Sequence, residues 1–203
     1  MEKNLWEVYT EDQLKELESL TGDYKKFLDT GKTERECVTE VIRQAEEAGY
    51  IELSKANEVK RGDKVYAAWM GKSIALFNIG EEPVENGMNI LGAHIDSPRM
   101  DLKQNPLYEE SGFAYFDTHY YGGIKKYQWT AIPLSLHGVI IRRDGSKINV
   151  SIGEQPDEPK FVVTDLLPHL AQEQMKRTLA DGVRGEELNI LIGSRPFRSD
   201  EGS

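Results

Sequence analysis

One cysteine, Cys37, is all the chain has. It excludes an internal disulfide and a cysteine-rich zinc cluster. Its apolar neighbours recur at helical spacing, so it reads as a small buried core residue and not as a nucleophile. Positive charge is also in short supply: 25 Lys and Arg stand against 35 Asp and Glu, for a formal net charge of −10. Such a surface argues against nucleic acid and against anionic membranes, which select basic faces. Long apolar runs are missing as well. The longest, residues 130–141, contains Pro133, Ser135 and His137 and is too short and too polar to cross a bilayer. The first residues, MEKNLWEVYTEDQ, lack a basic stretch followed by an apolar one, so no secretory leader is expected and a cytoplasmic location is. Low-complexity linkers and internal repeats are absent. Gly122-Gly123 does not make a dinucleotide-binding fingerprint. Trp69, Trp129 and the tyrosines are too dispersed among acidic residues for a base-stacking platform.

What remains is an ordinary globular composition, 38% hydrophobic and 30% charged over 203 residues, enough for one large or two small domains. Two amphipathic helices open the chain. Thr10 with Gln13, and Thr33 with Glu36, have the spacing of capping boxes. Leu14, Leu17, Leu20 and Tyr24 form the first apolar stripe, with an interruption expected near Gly22. Cys37, Val38, Val41, Ile42 and Ala45 form the second, which Gly49 ends. Strand texture follows. Residues 64–70 and 72–79 flank Gly71 as a hairpin, and residues 134–143 and 147–152 flank Asp144-Gly145 as another. Residues 89–94, NILGAH, have the continuous apolar pattern of a buried strand. A helix is expected over 164–179, with Leu166, Leu167, Leu170 and Met175 on its apolar side, and one more strand over 187–192. The only organisational break falls near residues 104–106.

The chemistry centres on GAHIDSPR, residues 92–99. On a strand, His94 and Asp96 point to one face. Neutral imidazole is a common zinc ligand, and a neighbouring carboxylate can fix its tautomer and raise its basicity. Ser97-Pro98 would end the strand and leave both side chains at its C-terminal edge, where open α/β sheets bind ligands. A His-x-Asp tripeptide alone is weak evidence. A sharper alternative joins His94 and Asp96 to Asp117 and His119; the plainer one packs His119 in an aromatic loop, and it is preferred. His137 reads as a half-buried strand histidine, His169 as a helix-surface or interface histidine, and Lys125-Lys126 as a solvated pair.

Three further segments accompany AHIDSPRMDLK in order: THYYGGIKKYQW at 118–129, IPLSLHG at 132–138 and VTDLLPHLA at 163–171. Together they resemble the M18 metalloaminopeptidases, the aspartyl aminopeptidase and aminopeptidase I group, in their bacterial form. The resemblance implies an α/β fold: residues 1–103 as the N-terminal part of an α/β-sandwich catalytic domain, and 104–203 as the beginning of a β-rich inserted dimerisation domain, incomplete here. It implies a zinc-dependent aminopeptidase that removes N-terminal amino acids from peptides with two metal ions, assembled as a homo-oligomer, a dodecamer in complete members. Within the site it makes His94 a metal ligand and Asp96 its supporting carboxylate, counted among the catalytic residues.

The bridging aspartate, glutamate pair, further aspartate and final histidine of the family have no match here. Glu46-Glu47, Glu81-Glu82, Glu109-Glu110 and Glu186-Glu187 read as solvated charges. The expectation is therefore a fragment that binds zinc weakly, is inactive alone and self-associates through uncovered apolar surface. The alternative is a shortened, non-catalytic assembly protein that keeps only the oligomerisation surface.

Overall fold

In the computed structural model, residues 4–195 are described, so the tail at 196–203 lies outside the described residues. The chain divides into two units, Met1–Ser97 and Pro98–Ser203.

In the first unit, Thr10 caps helix α1 (Glu11–Thr30): its hydroxyl accepts the Gln13 N–H while the Gln13 side chain takes the Thr10 N–H. The helix runs unbroken through Gly22, contrary to the expected interruption. One glycine costs about 1 kcal/mol relative to alanine, and nineteen other residues carry it. Thr33 caps α2 (Glu34–Glu47), accepting the Glu36 N–H and donating its own proton to the Glu36 carboxylate. The chain leaves α2 through Gly49, whose φ of 85° suits a residue without a Cβ.

A three-stranded sheet follows, ordered β1 (Ile51–Glu52), β2 (Lys64–Trp69) and β3 (Ser73–Asn78), with β1 parallel and β3 antiparallel to β2. The β2–β3 turn is Met70-Gly71, both at positive φ, with the Arg35 guanidinium donating to the Met70 carbonyl at 2.9 Å. Helix α2 packs on β2 and β3. Cys37, Val38, Ala45 and Val65 are buried there, and the buried Tyr66 ring sends its hydroxyl to Glu46 at 2.8 Å. Burial is also what pushes the Cys37 thiol up from its ordinary pKa, with the nearby Glu36 adding to it.

The second unit is built on a long hairpin, β4 (Arg99–Glu110) and β5 (Phe113–Tyr121), turning through Ser111-Gly112 at positive φ. Between Leu102 and Leu107 the register slips, so that residues 103–106 of β4 bulge. Pro106 lies in that bulge, where it need not donate to the ladder. Strands β9 (Ile190–Gly193) and β8 (Val162–Val163) extend the sheet in the order β4-β5-β9-β8. Val163, Val183, Leu188 and Ile190 form its core, flanked by Met100, Phe116, Tyr120 and Trp129. Thr118, a buried residue of β5, donates its hydroxyl proton to the Leu188 carbonyl. A separate two-stranded ribbon pairs β6 (Leu136–Ile141) with β7 (Lys147–Ile152) across the Asp144-Gly145 turn.

Two expected elements are not formed. Residues 89–94 have no regular secondary structure, and residues 164–179 form turns and one short 3-10 segment, Gln174–Lys176, instead of a helix. A strand covered on both faces needs neighbours, and none pairs with 89–94 among the described residues. In the second case Pro168 interrupts the run, and Leu166, Leu167, Leu170 and Met175 are exposed, so no packed face holds a helix together.

Candidate functional site

His94 and Asp96 come together without the strand that was expected to carry them. The His94 Nδ1 lies 3.0 Å from the main-chain carbonyl oxygen of Asp96 and 3.3 Å from its carboxylate. A carbonyl oxygen can only accept, so this contact is a hydrogen bond when Nδ1 carries a proton, and in the neutral ring that arrangement leaves the lone pair on Nε2. The irregular segment therefore does what strand alternation was expected to do: it presents the carboxylate to one ring nitrogen and leaves the other as a potential ligand. The imidazole is 85% exposed.

A pair of zinc ions needs a bridging ligand, terminal ligands for each ion and a base that activates water. Among the described residues, no three His, Cys, Asp or Glu side chains gather closely enough to hold one ion. The residues present fit one ligand position and its support, and do not fit the centre as a whole.

The other candidates are engaged in unit-two structure. Asp117 is paired with Lys103 at 3.1 Å, and Lys103 also reaches Glu186 at 2.7 Å. Those two hydrogen bonds, Glu186 first, raise the Lys103 pKa. His119 is exposed, stacks on Tyr120 with ring centroids 5.5 Å apart, and faces Asp101 across the β4–β5 ladder. The aromatic loop expected around it is instead strand β5. Nearby, the Arg99 guanidinium lies over the Tyr121 ring at 4.1 Å and binds Asp101 at 2.7 Å. His137 is a half-buried strand residue as read, its side chain 10% exposed and its Nε2 2.8 Å from Glu154. Glu154 was missed as its partner; it lies beyond β7, seventeen residues away, and only the pairing register joins the two. His169 is exposed but sits in a turn, not on a helix. Lys126 approaches the Tyr120 ring at 6.0 Å.

Comparison with known proteins gives these residues their context. A family model described as aminopeptidase I zinc metalloprotease (M18) matches residues 27–201. A probable M18 family aminopeptidase 1 of Clostridium acetobutylicum is 54% identical over 98% of this chain and 44% of its own length. The crystal structure of an M18 aminopeptidase from Thermotoga maritima superposes with a TM-score of 0.90 at 40% identity, covering 99% of this chain and 44% of that one. Aminopeptidase I from Clostridium acetobutylicum gives 0.85 at 49% identity, with the same coverage. The chain thus spans less than half the length of these relatives. With a family model matched over most of its length and a fold shared over nearly all of it, the chain belongs to the M18 family of metalloaminopeptidases.

Proposed function

We propose that this chain is the N-terminal part of a zinc-dependent aminopeptidase that removes N-terminal amino acids from peptides. In this reading His94 is one ligand of a two-zinc centre and Asp96 holds its ring. The single observation that supports it is geometric: Nδ1 faces the Asp96 carbonyl and carboxylate at 3.0 and 3.3 Å, which leaves Nε2 as the ring's other potential ligand atom. Residues 1–103 belong to the catalytic domain and 104–203 to an inserted dimerisation domain, and the complete protein is a cytoplasmic homo-oligomer. No helix among the described residues is long and apolar enough to cross a membrane.

The chain alone carries an incomplete centre, binds zinc weakly and does not hydrolyse aminoacyl substrates. The test is an aminopeptidase assay on the purified chain with zinc, over a panel of aminoacyl substrates, beside His94→Ala. Background rates in both are expected. Robust hydrolysis by the chain that His94→Ala abolishes would overturn the inactivity of the isolated chain.

A further inference from the structure

An asparagine side chain can close on the main-chain nitrogen of the next residue, and the size of that residue's side chain decides how freely. Of the eight asparagines in the chain, seven precede proline, glutamate or a bulky aliphatic residue. Branched side chains crowd the approach, and proline has no N–H to lose. Only Asn86 precedes a glycine. It ends a 3-10 turn, Val84–Asn86, between β3 and His94, and both it and Gly87 are exposed. A Cβ built on Gly87 would meet nothing within 4 Å, so no neighbouring segment crowds the pair on that side. Two contacts restrain it. The Gly87 N–H donates to the Val84 carbonyl at 2.9 Å, and the Asn86 side-chain amide donates to the Glu82 carboxylate at 3.1 Å. Both belong to one short exposed turn, and such isolated bonds open at little cost.

We propose that Asn86 is a modification site: it deamidates spontaneously through a succinimide formed with the Gly87 nitrogen. That nitrogen gives its proton to solvent base and attacks the Asn86 Cγ. The N–Cγ bond forms, the Cγ–Nδ2 bond breaks, and ammonia leaves with a proton taken from water. A water molecule then opens the ring. Cleavage at Cγ leaves aspartate. Cleavage at the main-chain carbonyl leaves isoaspartate, whose main chain runs through Cβ and is longer by one methylene. No oxidant, reductant or metal takes part. Either product adds a negative charge beside Glu81, Glu82 and Glu85, and isoaspartate also alters the path of the chain eight residues ahead of His94. The reaction lies between sequence neighbours and does not rest on the peptidase reading.

The test incubates the purified full chain in warm, mildly alkaline buffer and reads its peptides by mass and by isoaspartyl methyltransferase labelling. The peptide holding Asn86 is expected to gain about 1 Da, as –NH2 gives way to –OH, with aspartate and isoaspartate both present. Conversion there is expected to exceed that at any other asparagine by about tenfold or more, and to rise with pH. Hydroxylamine added during the reaction is expected to trap the succinimide as a hydroxamate. Asn86→Gln, which would need a six-membered ring, is expected to abolish the gain and leave the melting temperature unchanged. An Asn86 that stays intact in the folded chain would overturn the proposal; conversion in urea at the same time would show that the turn's two hydrogen bonds block the ring. Aspartate without isoaspartate would overturn the succinimide route. Conversion at another asparagine equal to that at Asn86 would overturn the assignment of the site.

Discussion

Replacing Leu188 with alanine removes the most deeply buried side chain of the second unit, one with no exposed surface at all. The substitution deletes three carbons, about 2.4 kcal/mol of lost transfer energy at about 0.8 kcal/mol per buried methylene. The cavity it leaves is lined by Val163, Val183 and Ile190, which strand pairing and close packing hold in place, so collapse is incomplete. A total of about 3 kcal/mol follows, within the range of about 2–5 for such truncations. Against a domain stability of about 5–15 kcal/mol, that is a large share. Urea unfolding followed by Trp129 reads it directly, because that ring packs on the same core while Trp6 and Trp69, both exposed, can be replaced by phenylalanine. With a urea slope of about 1.5 kcal/mol per molar, the midpoint falls by about 2 M. Leu91→Ala removes the same atoms from a fully exposed position and is expected to shift stability by under about 0.5 kcal/mol. Equal effects at the two sites would refute the assignment of the core.

Two further outcomes follow from single contacts. Gly153 sits at φ 106°, and a Cβ there would meet the Ser135 Cα at 3.0 Å. Gly153→Ala is therefore expected to cost about 1–3 kcal/mol in a thermal melt, and a neutral result would contradict the close approach of the two loops. Glu40 is held down to a pKa of about 2, first by its hydrogen bonds from Arg43 and then by Gln44. A depressed carboxyl pKa stabilises the folded form above its unfolded value of about 4.5, and that contribution is lost as pH falls toward 2. The contribution is small and salt-sensitive because Arg43 is half exposed. A carbon-detected titration of the Glu40 carboxyl is expected to show a midpoint well below 4, and one near 4.5 would remove the pair from the account.

Much of the first unit was legible because its signals are local. Thr10, Thr33 and Gly49 mark helix ends through contacts three or four residues long, and in the second unit Asp144-Gly145 marks a hairpin through its own backbone preferences. The β4–β5 hairpin was not read as strands, although Ser111-Gly112 ahead of the aromatic run at 113–121 is a turn signal. The bulge at 103–106, with Pro106 inside it, breaks the alternation that would have exposed the pattern. The strand expected at 89–94 and the helix expected at 164–179 failed for the opposite reason. Their apolar patterns are strong, but each is a demand for a partner surface, and pattern alone does not say whether the partner is present. The site shows the same division. The proximity of His94 and Asp96 follows from two-residue spacing, which an irregular segment satisfies as well as a strand does. The links from Lys103 to Glu186 and from His137 to Glu154 depend on long-range register and carry no sequence signal.

The claim that His94 is a metal ligand oriented by Asp96 is tested most directly by nitrogen-15 spectra of the histidine rings during a zinc titration of the full chain. The account predicts that His94 keeps its proton on Nδ1 throughout, that its Nε2 resonance alone moves, and that binding is weak and absent in His94→Ala. Perturbation of His119 or His169 with His94 unmoved, or tight zinc binding that survives His94→Ala, would contradict it.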